Sequence, residues 1–150
     1  MISQTAEYAM RAVVFLARND KKFFSTEQIA KATQVPAAYL SKVLQPLTRQ
    51  GLVQAQRGPS GGYSLLRSAD TITLLEIVNS VDPIKRIEKC PLGLDAHGFE
   101  LCPLHKELDG AVAAVETAFA RTTIDQLVNR KSKVEQSPCD FPSLVDSPSQ

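Results

Sequence analysis

The sequence predicts a mainly α fold with one small β-hairpin and a long helix toward its C-terminal end. Three observations carry that expectation. Apolar residues recur at spacings of three and four along several stretches, the mark of one-sided helices. Between Leu52 and Leu66 the pattern shortens to two brief strands around Arg57-Gly-Pro-Ser-Gly-Gly62. Beyond them, Pro103 to Phe119 places Leu104, Leu108, Val112, Val115 and Phe119 on one stripe. At ~1.5 Å per residue that helix would be about 25 Å long.

Taken in order, Thr5 to Asn19 reads as a first helix, with Tyr8, Ala9, Ala12, Val13, Phe15 and Leu16 on one face. Glu7 and Arg11 stand four apart near its start, a common surface pair. Asp20 to Phe24 is a connection. Ser25 opens a capping box with Gln28, starting a short helix from Thr26 to Ala32. A tight turn from Thr33 to Val35 leads to Pro36, whose fixed φ suits a first helical position. The next helix buries Leu40, Val43, Leu44 and Leu47 and presents Ala37, Ala38, Ser41, Lys42, Gln45 and Arg49 outward. Pro46 lacks an N–H and predicts a kink near Lys42 to Gln45, leaving a straight segment from Pro36 to Gln45. Gly51 stops the helix.

Leu52 to Gln56 and Tyr63 to Leu66 then pair around a type I turn, with Pro59 second and Gly61 fourth, and Gly62 free to take positive φ. Two helices joined by a short turn, followed by a hairpin, make a winged helix-turn-helix. A polar-faced helix suits a major groove, and Arg57 at the hairpin tip suits the adjacent minor groove. An ordinary helix-plus-hairpin domain would show the same pattern. After Arg67 to Ile72, Thr73 and Glu76 form a second capping box, for a helix from Leu74 to Val81 closed by Pro83. The long helix follows, and Thr122 or Thr123 caps a last short one through Val128. Its apolar stripe lies outside the small core and needs a partner surface, for which a second subunit is the simplest source. Lys131 to Gln150, rich in Ser, Pro and Gln, reads as a disordered tail holding Cys139.

Composition narrows the function classes. At 150 residues and 43% hydrophobic, the chain can bury one core. No run of 18 apolar residues exists and no signal-peptide pattern opens the chain, so the expectation is a cytoplasmic protein with no membrane span. The net charge of +1 hides an asymmetry. Residues 1–80 carry nine Lys and Arg against five Asp and Glu, whereas residues 81–150 carry eight against eleven. A basic N-terminal half fits a nucleic-acid face and an acidic C-terminal half faces elsewhere.

Between the two halves, Cys90, His97, Cys102 and His105 fall within sixteen residues. Cys102 and His105 are three apart at a helix start, where the helix dipole favours a thiolate. Thiolate and imidazole together suit zinc or iron–sulfur centres, although no paired C-x2-C is present. A nucleophilic Cys/His site would need oxyanion donors and an orienting carboxylate that the pattern does not supply, so an enzyme is not expected. Loop thiols and surface histidines with no shared role are the remaining reading.

The segments AEYAMRAVVFLA, EQIAKATQVPAAYLSKVLQPLTRQGLV, RGPSGGYSL and ITLLEIVNSVD, with a cysteine loop before a long helix, resemble the IscR/NsrR/CymR family of bacterial winged-helix transcription regulators. The resemblance covers about residues 1–128 and implies a homodimer on a palindromic DNA operator. It also implies a C-terminal dimerisation helix and, in many members, an iron–sulfur cluster that senses redox, nitric oxide or iron–sulfur status. Cluster-bearing members space three cysteines as C-x5-C-x5-C. Cys90 and Cys102 match the outer two, while Ala96 stands in the middle. His105 matches a ligand of the iron–sulfur-regulating branch, and Glu7 matches an acidic first-helix ligand lent by the other subunit. His97 is the alternative fourth ligand, and two thiolates with harder partners point to a 2Fe–2S centre.

The resulting expectation is a likeness-based repressor with four regions. Residues 1–82 form the DNA-binding domain, 83–102 the sensor loop, 103–129 the dimerisation helices and 130–150 the tail. Ala38, Tyr39, Ser41, Lys42, Arg57, Gly58 and Ser60 would meet DNA, and Leu108, Val112, Val115 and Phe119 would form the dimer interface. Two alternatives stand beside it: the same regulator working by a thiol switch or small metabolite, and a zinc-dependent protein-interaction module.

Overall fold

The computed structural model describes residues 2–93 and 100–129. Ala96, His97, Cys139 and the expected tail lie outside the described residues. The elements run α1 (Gln4–Arg18), α2 (Thr26–Thr33), α3 (Ala37–Arg49), β1 (Val53–Gln56), β2 (Gly62–Leu65), α4 (Leu74–Val81), α5 (Pro103–Arg121) and α6 (Ile124–Val128). A 3-10 turn at Ala69–Thr71 precedes α4. Mainly helical with one hairpin, the chain has the predicted architecture.

Helix α1 is the centre of the core. Ser3 caps it, accepting from the Ala6 N–H at 3.2 Å, and Ala6, Ala9, Ala12, Val13, Phe15 and Leu16 are buried. Helices α2, α3, α4 and α6 all pack on α1. Each fully buried Leu or Phe contributes roughly 1.5–3 kcal/mol of burial. The Ser25 capping box is complete: Gln28 N–H donates to the Ser25 hydroxyl at 3.2 Å, and Ser25 N–H donates to the Gln28 side chain at 2.8 Å. Gln34, at φ 56°, makes the tight turn into α3.

One local expectation changes at α3. Pro36 is the N-cap, one place before the helix, where its carbonyl accepts from Leu40 N–H at 3.1 Å. The helix also continues through Pro46 to Arg49. The proline costs α3 one backbone bond, to the carbonyl of the exposed Lys42, and the buried Leu40, Val43, Leu44 and Leu47 hold the turns on either side. Beyond Arg49, Gly51 at φ 72° closes the helix end. Its N–H donates to the Thr48 carbonyl and the Leu52 N–H to the Leu47 carbonyl, both at 3.0 Å.

The wing pairs Val53 with Leu65 through Gln56 with Gly62, antiparallel, and Gly61 N–H closes the tip on the Gly58 carbonyl at 3.0 Å. The segment expected as a plain connection also joins it. Phe24 and Tyr63 exchange both backbone hydrogen bonds, at 3.0 and 2.8 Å, and the Phe24 ring meets Phe15 edge-on at 4.9 Å. The wing is thereby pinned to α1. Gly62 permits this approach: it sits at φ 135°, and a Cβ there would lie 2.2 Å from the Phe24 carbonyl oxygen. Gly62→Ala should therefore destabilise the fold by about 2 kcal/mol or more. A lowered denaturant midpoint at unchanged slope is the expected result, and an unchanged midpoint would mean that the Phe24–Tyr63 pairing is absent.

Helix α4 begins with the second capping box, Thr73 with Glu76. Burial pushes the Glu76 carboxyl up, but hydrogen bonds from Arg67, 2.7 Å away, and Thr73 outweigh it and hold it below the usual range. Residues 83–93 are described without helix or strand, and α5 begins at Pro103. No residue of α5 is buried. Thr123 completes a third capping box, and α6 turns back onto the core, where Ile124 is fully buried and donates its N–H to the Ile72 carbonyl at 2.9 Å.

Candidate DNA-binding face and metal centre

Helix α3 and the wing tip each expose residues of the expected DNA-binding set. On α3, Ala38, Ser41 and Lys42 are exposed while the opposite face is buried in the core. Tyr39 is half-buried, its ring edge-on to Tyr8 at 5.5 Å and covered by the Lys42 ammonium at 5.4 Å. These contacts fix the start of α3 against α1. At the wing tip, Arg57, Gly58 and Ser60 are exposed, and Arg57 follows the last paired residue, Gln56. Arg57 makes no hydrogen bond or ion pair with other described residues, so its charge is available to a phosphate or groove.

The second site lies where the 83–93 segment meets α5. Cys102 is the N-cap of α5 and Pro103 its first residue, so Cys102 Sγ and His105 share the opening turn. The thiol caps no backbone N–H. His105 Nδ1 stands 3.1 Å from Cys102 Sγ and 3.7 Å from Cys90 Sγ. The ligand atoms of Cys90, Cys102 and His105 lie within 4.8 Å of one another, and all three residues are half-buried. Donors around one ion with bonds of about 2.0–2.3 Å stand a few ångströms apart, so this set fits a thiophilic metal. The structure brings Cys90 to a helix N-cap twelve residues further along the chain.

Glu7 is elsewhere in its own chain. It accepts from the Arg11 guanidinium at 2.6 Å, and Arg11 also donates to the Thr33 carbonyl at 3.3 Å and lies 5.7 Å over the Tyr8 ring. On α5, Leu104 and Leu108 are 64% and 47% exposed, while Val112, Val115 and Phe119 are half-buried. Among the described residues, no helix is long and apolar enough to cross a membrane.

A family model for Rrf2, described as an iron-dependent transcriptional regulator, matches residues 2–130. The chain belongs to the Rrf2 family. An HTH-type transcriptional regulator of Aquifex aeolicus is 30% identical over 136 residues, which span 89% of this chain and 94% of that one. IscR of Cereibacter sphaeroides is 37% identical over 84 residues, 54% of each chain. The solved structure of CymR, the global cysteine regulator of B. subtilis, covers 88% of this chain and 98% of its own, with 27% identity and a TM-score of 0.73. This Rrf2 chain is a transcriptional regulator with a DNA-binding role, not an enzyme.

Proposed function

We propose that this Rrf2 regulator is a cytoplasmic, homodimeric repressor of a palindromic operator, gated by an iron–sulfur cluster in the cysteine loop. The observation that carries the sensing part is the convergence of Cys90, Cys102 and His105 at the start of α5. A cluster there would supply redox- and nitric-oxide-sensitive chemistry. The chain's own residues supply two thiolates and an imidazole, and Glu7 of the partner subunit completes the set, with His97 as its alternative. Two thiolates beside harder ligands favour a 2Fe–2S centre. A single ion such as zinc is the second reading, favoured by three donors lying within 4.8 Å.

On DNA, Ala38, Ser41 and Lys42 face the major groove, Tyr39 lies near a phosphate, and Arg57 enters the minor groove beside Gly58 and Ser60. The exposed, unpaired Arg57 supports this placement. Arg57→Ala should weaken operator binding and lower the slope of log affinity against log salt by about one. Identical affinity at every salt concentration would remove the wing from the interface. The sensing part is tested by anaerobic reconstitution with ferrous iron and sulfide and, in parallel, with zinc. Visible absorbance with equal iron and sulfide supports the cluster. Uptake of zinc alone supports the second reading, and uptake of neither metal leaves a thiol switch or metabolite in its place.

A further inference from the structure

Cys90 sits on a segment with neither helix nor strand, yet its thiol is held beside two groups of α5. One contact explains how. Arg86, four residues before Cys90, lays its guanidinium across both oxygens of Asp109, with Nε–Oδ1 at 2.7 Å and Nη2–Oδ2 at 2.5 Å. Nη1 reaches Glu116 at 3.3 Å, and the Ile87 N–H donates to Asp109 Oδ1 at 2.9 Å. Asp109 in turn is four residues, about one helical turn, beyond His105. The same two strips of chain are thus joined twice, once by Arg86 and Asp109 and once at the Cys90, Cys102 and His105 cluster. The bidentate fork fixes direction as well as distance.

We propose that Arg86 and Asp109 are positioning residues that hold Cys90 over the start of α5, so that the metal site is formed before any metal arrives. The inference deepens the metal reading and rests on the same three ligands. Without the clamp, Cys90 would be ordered only at the moment of binding, and that ordering cost would fall on metal affinity.

The hydrogen bonds from Arg86 and from the Ile87 N–H hold the Asp109 carboxyl down at about 2. A carboxyl depressed in the folded state contributes above its unfolded value of about 3.9 and loses that contribution as pH falls toward 2. The clamp is therefore closed throughout the range in which thiols and imidazoles ordinarily titrate.

The test uses the full chain with Cys139→Ser, alone and with Arg86→Ala or Asp109→Asn added. Anaerobic titration with cobalt(II) reads thiolate-to-metal absorbance. A second measurement needs no metal: equilibrium with glutathione, in which two thiols and one glutathione disulfide give the Cys90–Cys102 disulfide and two glutathione thiols. Both variants are expected to bind cobalt(II) about tenfold more weakly or worse, the range met when groups that orient ligands are lost. The disulfide equilibrium should fall with them while helical circular dichroism is unchanged. If cobalt(II) does not bind the parent but the disulfide equilibrium still falls in both variants, the clamp stands and the metal reading fails. If the disulfide equilibrium in both folded variants equals the parent's, the positioning role is overturned.

Discussion

Leu108→Asp should convert the protein from dimer to monomer without unfolding it. Leu108 is 47% exposed within its own chain, so a carboxylate there costs the isolated fold little. In a dimer built along α5 the same carboxylate would be buried without a partner, which costs several kcal/mol. The stripe from Leu104 through Leu108, Val112, Val115 and Phe119 supports this placement, because α5 buries none of its residues within the chain. Val112→Asp should also dissociate the dimer but with a further cost, since Val112 and Val115 line a cavity of about 370 Å³ together with Ile2, Ala6, Val78 and Ile84. Sedimentation should show a folded monomer for Leu108→Asp. Operator affinity should drop by a factor on the order of 10² or more, as two half-sites are no longer bound together. A stable Leu108→Asp dimer would place the interface elsewhere.

The second large effect is expected at the ligands. Cys102→Ser exchanges a thiolate for a hydroxyl that stays protonated and binds soft metals poorly. Cys102 is the N-cap of α5 and lies 3.1 Å from His105 Nδ1, so its loss leaves Cys90 and His105 without the donor between the two strips. Reconstituted Cys102→Ser and Cys90→Ser should lose nearly all visible absorbance, and His105→Ala should keep a weakened, shifted spectrum. Glu7→Ala against His97→Ala then identifies the fourth ligand. Retained wild-type iron in either cysteine variant would contradict the assignment. Glu7→Ala also removes the ion pair to Arg11, whose guanidinium lies over Tyr8, itself edge-on to Tyr39 of α3.

Much of this was legible in the residues, for identifiable reasons. Capping boxes at Ser25 and Thr73 locate helix starts because the side-chain spacing is itself the bond. Leu40, Val43, Leu44 and Leu47 are all fully buried, as their spacing implies. Gly58 to Gly61 forms its turn because Pro59 presets φ where the turn needs it. Local signals failed where long-range packing decides. Nothing near Phe24 shows that it pairs with Tyr63 thirty-nine residues on, or that Ile124 returns to the core beside Ile72. Pro46 removes one bond inside α3, and its buried neighbours keep the helix continuous to Arg49, just short of the stop expected at Gly51. For the candidate site, Cys102 and His105 are readable as neighbours on one turn. The approach of Cys90 is not, since it depends on Arg86 reaching Asp109 across the fold.

In the proposed function, the state of the cysteine loop governs operator binding. The most direct measurement is the affinity of the anaerobically reconstituted protein for an operator selected from random duplexes, compared with the same preparation after chelator has stripped its iron. Arg57→Ala serves as the DNA-contact control, and salt is held constant because phosphate contacts make affinity steeply salt-dependent. Loaded and stripped protein should differ by tenfold or more, a coupling of about 1.4 kcal/mol, and Cys102→Ser should behave as the stripped form whatever metal is offered. Equal affinities for loaded and stripped wild type would contradict it.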